Sequence, residues 1–384
     1  MVLNDLYYFH IPTKLVIGCG AVSQLVTEAR ALCINHPLIV TDSGMKKSGI
    51  MDKILGQLSN QGLSCSIFDG VVPNPKISTI EAGVAVYQKQ QCDGLISVGG
   101  GSPIDAAKGI GVLAKNSGSL MEFEGSGKVK TPIPPHIAIP TTYGTGSEVS
   151  FAAMITDPAR NLKTAIGSPL LFPKVAIIDP ELALGLPRPI AASTGMDALT
   201  HAIESYVSLK AQPITEAISL YAIRLVSENL RKAVTGDKEG TANMMIAASM
   251  GGMSISHTRT GAVHAMAHIL GGHFDVPHGI TNAILLPHVM EFNLETCPEK
   301  YREISKAMGE RVEGLSLKEA AEKSVEVVEQ LNKDLGLPIR LREIGCDDRK
   351  FSKIAEDTMN TPVILVNPRK ATKEDILKLL RKAF

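Results

Sequence analysis

The chain has 384 residues, too many for one ordinary core, so two domains are expected. Lys and Arg total 39 and Asp and Glu also total 39. A chain with no net charge and no basic blocks gives no electrostatic reason to bind nucleic acid or an anionic membrane, and with tryptophan absent it has few platforms for stacking bases.

The first half alternates strand-like and helix-like segments. Pro37–Asp42 (PLIVTD) reads as a short buried strand that ends on polar residues. Asp42 stands at its carboxyl end, where ligands gather in sheets of this kind. A carboxylate there can accept hydrogen bonds from a ribose diol and repel a 2′-phosphate, which would select NAD over NADP. The competing reading is an ordinary turn-forming Asp in TDSG. Lys53–Gln61 then reads as a helix, Ser64–Phe68 as a strand and Ile77–Gln90 as a helix.

Gly94–Val98 is a further buried strand, and it runs into SVGGGSPIDAAK, which opens a helix over Asp105–Leu113. Glycines allow close backbone approach, and a helix N-terminus offers unpaired N–H groups to a phosphate. The spacing is not the G-x-G-x-x-G fingerprint. A tight turn that needs glycine for positive φ is the plain alternative. His136–Ile139 is the next strand, followed by PTTYGTGSE, where Thr141, Thr142 and Thr145 cluster hydroxyls beside glycines. Such clusters suit a nucleotide, and they also make local turns and caps. Val175–Ile178 closes the series. Strands alternating with helices imply a parallel α/β sheet.

From Pro189 onward long helical patterns dominate, over Ile214–Ala233, Asn243–Ser256 and Leu317–Leu335. A boundary is expected at Leu186–Pro189, dividing the chain into an α/β domain over 1–187 and an all-α domain over 188–384. No internal repeat and no low-complexity segment stands out.

The helical half carries the densest chemistry. His264, His268, His273 and His278 follow one another closely, with His257 just ahead; upstream, STGMDALTHAIESY holds Asp197 and His201. Asp197 and His201 are four apart, as are His264 and His268, and on a helix that spacing puts both side chains on one face. His278 falls in VPHG, which reads as a loop. Three imidazoles and a carboxylate suit iron(II), zinc, cobalt or nickel. Spacing alone leaves His268 and His273 as equal candidates. A divalent ion so placed lowers the pKa of an alcohol and polarises a carbonyl.

Six cysteines, Cys19, Cys33, Cys65, Cys92, Cys297 and Cys346, show no C-x-x-C spacing and read as free thiols of a reducing compartment. The N-terminal MVLNDLYYFHIPTK has no basic stretch followed by an apolar one, and no run of about 18 apolar residues occurs. A soluble, cytoplasmic protein without a membrane span is the expectation.

GGGSPIDAAK, PTTYGTGSE, STGMDALTHAIESY and HAMAHILGG…PHGITNAILLPH, in that order, resemble the iron-containing (group III) alcohol dehydrogenases, over nearly the whole chain. The resemblance implies a Rossmann-like N-terminal domain and a helical C-terminal one, in the dehydroquinate synthase-like architecture, with the site between them. It implies an NAD(H)-dependent alcohol dehydrogenase or aldehyde reductase acting on a small-molecule substrate. Its metal positions fall on Asp197, His201, His264 and His278, with Fe2+ the family's metal and Zn2+ compatible with the same ligands. It makes His268 a proton-relaying or substrate-orienting catalytic residue. Its cofactor positions fall on Asp42, Asn74, Gly99, Gly100, Ser102, Thr141, Thr142, Thr145 and Lys163. A homodimer or higher homo-oligomer is common among such proteins.

Two departures bear on the substrate. Ahead of His264, where the family carries small or apolar groups, this chain has SHTRT. Arg259 there is either a solvated structural residue or a reader of an acidic group on a short aldehyde, such as sulfoacetaldehyde. Tyr143 replaces a smaller residue and is expected to narrow the nicotinamide end of the cleft. Neutral alcohols and diols (1,3-propanediol, lactaldehyde, ethanol) are the alternative substrates. A metal-dependent polyol dehydrogenase, a metal-independent reductase and a non-enzymatic dinucleotide sensor are the competing functions, and the complete ligand set argues against the last two.

Overall fold

The computed structural model describes residues 6–160 and 162–384. The described residues form nine strands: β1 (Lys14–Ile17), β2 (Pro37–Asp42), β3 (Ser66–Val71), β4 (Gly94–Gly99), β5 (Gly125–Ser126), β6 (His136–Pro140), β7 (Ala152–Asp157), β8 (Leu162–Gly167) and β9 (Val175–Ile178). Six form one parallel sheet in the order β1-β9-β6-β4-β2-β3. The helices among them are α1 (Leu25–Ala31), α2 (Ser43–Lys47), α3 (Ile50–Asn60), α4 (Ile77–Lys89) and α5 (Gly101–Lys115).

The continuous apolar runs of the central strands follow from coverage on both faces. Along β2, Leu38 and Val40 join a core with α4 and α5, while Ile39 points the other way into a core with α1 and α3. In β4, Leu95 joins the first core, and Ile96 and Val98 the second. This is the two-residue period of a strand with no solvent face. The carboxyl ends of β2, β4 and β6 lie side by side, with Gly99 in register with Pro140. β3 and β4 flank β2 on opposite sides. The order of the strands therefore reverses beside the segments that begin at Asp42, Gly99 and Pro140, which is where open α/β sheets bind ligands.

The chain then becomes helical: α6 (Arg188–Val207), α7 (Pro213–Ala233), α8 (Lys238–Thr258), α9 (Ala262–Phe274), α10 (His278–Leu294), α11 (Pro298–Ala307), α12 (Leu317–Asp334), α13 (Phe351–Met359) and α14 (Lys373–Lys382). The prolines at 187 and 189 start α6 rather than breaking it, a position where a missing N–H is harmless. α6 packs against α7, α8 and α10 and is buried on nearly every side, which its small residues Ala191, Ala192, Gly195, Ala198 and Ala202 permit. The helical core reaches back to Ala176 and Ile178 of β9. No helix among the described residues is long and apolar enough to cross a membrane.

Sequence reasoning missed β1 and the small sheet β5-β8-β7, in which β7 and β8 pair antiparallel. It also started α5 four residues late, since the helix begins at Gly101, so Gly101 and Ser102 belong to its first turn.

Candidate metal centre

Because α6 is enclosed, polar residues on its inner face have no water to pair with and must pair with one another. Asp197 and His201 are 3% and 5% exposed. α9 brings His264, 1% exposed, against them. His278 is not in a loop: it is the first residue of α10, with Pro277 as the N-cap, and the turn at Asp275–Pro277 swings it towards the other three. Asp197 Oδ1 lies 4.0 Å from His201 Nε2, 3.5 Å from His264 Nε2 and 3.5 Å from His278 Nε2. Asp197, His201 and His264 form the compact group suited to a metal, and His278 stands against the same carboxylate oxygen.

The electrostatics follow from this enclosure. Burial alone would raise the Asp197 pKa, but the imidazoles of His201, His278 and His264 outweigh it and hold the carboxyl well below the ordinary range. Burial pushes His201 and His278 down, so neither carries a proton near neutrality. His264 goes the other way: burial opposes its charge, yet Glu204 and Asp197 push it up to about 9. A positive charge between these carboxylates is what the site favours.

Glu204 was not anticipated. It lies on α6 seven residues after Asp197, on the same face. Its Oε2 accepts from His264 Nδ1 at 2.6 Å and from Gly261 N at 2.8 Å, and its Oε1 accepts from Val263 N at 2.6 Å. One side chain thus ties down the start of α9 and fixes which imidazole nitrogen faces Asp197, the carboxylate–histidine arrangement found behind metal ligands. The D-x-x-x-H-x-x-E spacing in STGMDALTHAIESY was the available signal.

His268 follows His264 by one turn and stacks on His278, with ring centroids 5.2 Å apart and planes 14° apart. Burial and the neighbouring His278, His264 and Lys163 lower its pKa well below the ordinary value. His273 is drawn away and meets Asp357 at 3.3 Å, so it does not belong to the cluster.

The cofactor candidates also come together. The Gly99 φ of +144° suits glycine alone. A side chain at Gly100 would press on Thr142 at 3.2 Å, and one at Gly101 on Thr145 at 2.7 Å, so the loop after β4 lies against the loop after β6. Gly100 caps α5 without any side-chain bond, leaving first-turn N–H groups for a ligand, with Ser102 half-buried beside them. Thr141 N donates to Gly99 O at 3.0 Å. Asp42 caps α2 through Gly44 N at 2.7 Å and Met45 N at 3.3 Å, both on Oδ1, while its Oδ2 faces Gly99. The turn-forming role is realised, and one carboxylate oxygen stays clear of it.

Lys163, on β8, donates to Asn74 Oδ1 at 3.2 Å, and Asn74 Nδ2 donates to Asp275 Oδ1 at 3.2 Å. This chain of bonds runs from the α/β half to the turn that precedes His278. The β6 loop also touches the centre directly, with Gly144 O 3.3 Å from His201 Nδ1.

One expectation needs correcting. Tyr143 does not narrow a cleft: it is 1% exposed and packs in the helical core, where burial raises its pKa and its hydroxyl has no partner. Arg259 is the C-cap of α8 with φ 61° and ψ 178°, a conformation favouring glycine, and no ion pair joins it to a described residue.

Comparison with known proteins is consistent over the whole length. The model of the Fe-containing alcohol dehydrogenase family's C-terminal part matches residues 191–384, and that of iron-containing alcohol dehydrogenase matches 12–180. The 1,3-propanediol dehydrogenase of Klebsiella pneumoniae is 41% identical over 99% of both chains. The lactaldehyde reductase of Escherichia coli (strain K12) is 40% identical over 100% of this chain and 99% of its own. The crystal structure of a 1,3-propanediol oxidoreductase superposes with a TM-score of 0.97 at 41% identity, covering 99% of this chain and 100% of that one. Sulfoacetaldehyde reductase from Bifidobacterium kashiwanohense, in complex with NAD+, gives a TM-score of 0.89 at 26% identity over 99% of each chain. Sharing both sequence and fold with these enzymes from end to end, the chain is an oxidoreductase that belongs to the iron-containing alcohol dehydrogenase family.

Proposed function

We propose that Asp197, His201, His264 and His278 hold one divalent metal ion, that the segments after β2, β4 and β6 hold NAD, and that the protein interconverts a short alcohol and its aldehyde. The observation that carries the reading is the convergence of three imidazole nitrogens on one Asp197 oxygen at 3.5–4.0 Å. Ligands about 2.1 Å from a tetrahedral ion stand roughly 3.4 Å apart, which these three distances approach, and Asp197, His201 and His264 form the tightest part of the set. Iron(II) is the family's metal, and zinc accepts the same ligands.

The ion supplies Lewis acidity to the substrate oxygen, and NAD supplies the hydride chemistry. The chain supplies the rest. Neutral His268, half-buried and stacked on His278, takes up or returns the substrate proton. The first turn of α5, with Ser102, binds the pyrophosphate; Thr141, Thr142 and Thr145 line the facing loop; and the open oxygen of Asp42 accepts from the ribose. Lys163 and Asn74 join the cofactor side to the turn before His278. In this reading the chain divides at 187/188, and the site lies between an α/β part and a helical part. A cytoplasmic homo-oligomer is the assembly we favour, and the exposed Leu6, Tyr8, Leu209 and Leu365 offer apolar surface for it.

Metal removal tests this. Treating the purified protein with a chelator should abolish NADH-dependent aldehyde reduction, and adding back Fe2+ or Zn2+ should restore it. Full activity in protein that elemental analysis shows to be metal-free would refute the reading.

The relatives at 40–41% identity are named for neutral diols and hydroxyaldehydes, which makes those the first substrates to try. One observation favours a second class. A non-glycine residue in the Arg259 conformation costs of order 1–3 kcal/mol, a cost that a working guanidinium would explain. Arg259→Gly should therefore raise stability by about 1–3 kcal/mol in urea unfolding. If Arg259 reads an acidic group, the same change should lower kcat/KM for sulfoacetaldehyde or a short semialdehyde at least tenfold and leave neutral aldehydes unaffected. Equal effects on both classes would return Arg259 to a structural role.

A further inference from the structure

Asn282 belongs to none of the roles above, yet it touches three of the four candidate ligands. It sits on α10 one turn after His278 and is wholly buried. Its Nδ2 lies 2.7 Å from Asp197 Oδ1, 3.1 Å from His264 Nε2 and 3.2 Å from His278 Nε2. Its Oδ1 is buried without a partner among the described residues.

These contacts do not balance as ordinary hydrogen bonding. A side-chain amide has two N–H groups, and three polar atoms surround its nitrogen. The shortest contact is to the carboxylate, where a charge-assisted bond is strongest. The two imidazole nitrogens stand farther off, and His264 has already committed its Nδ1 to Glu204. Their Nε2 atoms therefore stand around the same small volume as Asp197 Oδ1, where the two amide hydrogens cannot serve all three. The amide orientation is also dictated: turning it over would set a carbonyl oxygen against the Asp197 carboxylate. A bare buried carbonyl is costly, so an apolar residue of similar size would suit the fold better.

We propose that Asn282 is a positioning residue of the metal centre: its N–H groups hold the Asp197 carboxylate so that Oδ1 faces the three imidazoles, and thereby set the affinity and coordination of the divalent ion. The inference rests on the four-ligand reading. Hydrogen bonds to a ligating carboxylate fix its direction and draw charge from it, and loss of such outer partners generally weakens metal binding roughly 10–100-fold.

The test uses full-length wild type, Asn282→Ala and the isosteric Asn282→Asp, stripped with chelator and titrated with Co2+ against a chromophoric competitor. Asn282→Ala removes the donor. Asn282→Asp keeps the shape and replaces the donor with an acceptor, so it covers the case in which the alanine variant folds poorly. Both are expected to raise the Co2+ Kd by roughly 10–100-fold and to change the visible Co2+ absorption bands, which report ligand geometry and would not move with general loosening of the fold. The Asp variant should also show a lower Tm than wild type before metal is added, because two carboxylates then face each other. Kd values within threefold of wild type and unchanged bands in both variants would overturn the role of Asn282 alone. Wild type that takes up no Co2+ would overturn the four-ligand reading and this inference with it.

Discussion

Replacing His264 by alanine is expected to strip the metal from the purified protein and to lower kcat/KM for any aldehyde by about a thousandfold or more. His264 supplies one donor against Asp197 Oδ1 at 3.5 Å, and it also anchors Glu204, so both the ligand and its support are lost together. Lewis-acid assistance is worth several kcal/mol, and each 1.4 kcal/mol is about tenfold in rate. The informative comparison is His268→Ala. That residue stacks on His278 without joining the set around Asp197, so its removal should leave one metal per chain while lowering kcat by roughly 10²–10⁴, the range for a lost proton-transfer group. Elemental analysis and steady-state kinetics on the two variants separate a ligand from a relay. Stoichiometric metal in His264→Ala, or metal loss in His268→Ala, would redraw the site.

The difference between these two histidines shows how far spacing alone can go. The i,i+4 pairs placed Asp197 with His201 and His264 with His268 on common helix faces, and both placements hold. Spacing could not say which of His268, His273 and His278 turns inward, because that depends on the bend at Asp275–Pro277 and on the pairing of His273 with Asp357. The family resemblance chose His278, and the geometry brings it to Asp197. Glu204 and Asn282 escaped notice for another reason: a lone Glu or Asn in a helix reads as surface until its helix is known to be enclosed. The inner strands β2, β4, β6 and β9 of the large sheet were legible because both faces are buried and their residues are almost all apolar. β7 and β8 mix polar and apolar residues and gave no clear period, so Lys163 was reached only through resemblance.

Asp105 and Lys108 lie in the glycine-rich motif itself, and sequence reasoning passed over them. The glycines shape the turn, but Lys108, with no exposed surface, holds the site's second loop in place. Its Nζ donates to Ser147 O at 2.7 Å, Ser147 Oγ at 2.8 Å, Ser150 Oγ at 3.1 Å and Ala152 O at 2.8 Å. Asp105, 3.9 Å from it, accepts from Ser147 Oγ and Met154 N, and Glu148 accepts from Ser249 of α8. One ammonium thus links α5, the segment after Thr145 and the start of β7. Lys108→Met keeps the volume and removes the charge, leaving two buried carboxylates and two backbone carbonyls uncompensated. Breaking a buried ion pair in this way costs about 3–5 kcal/mol, so urea unfolding should show a loss of that order, and KM for NADH should rise as Thr142 and Thr145 lose their support. The pH dependence has a definite sign. Burial lowers the Lys108 pKa to about 8, only partly offset by Asp105 and Glu148, against 10.5 in the unfolded chain. Between those values the unfolded state binds more protons, so this group's contribution to stability increases with pH there. Wild type should therefore gain stability relative to Lys108→Met as pH rises from about 8 to 10.5. A difference between the two that stays flat across that window would mean that Lys108 titrates normally and that its burial carries no electrostatic cost.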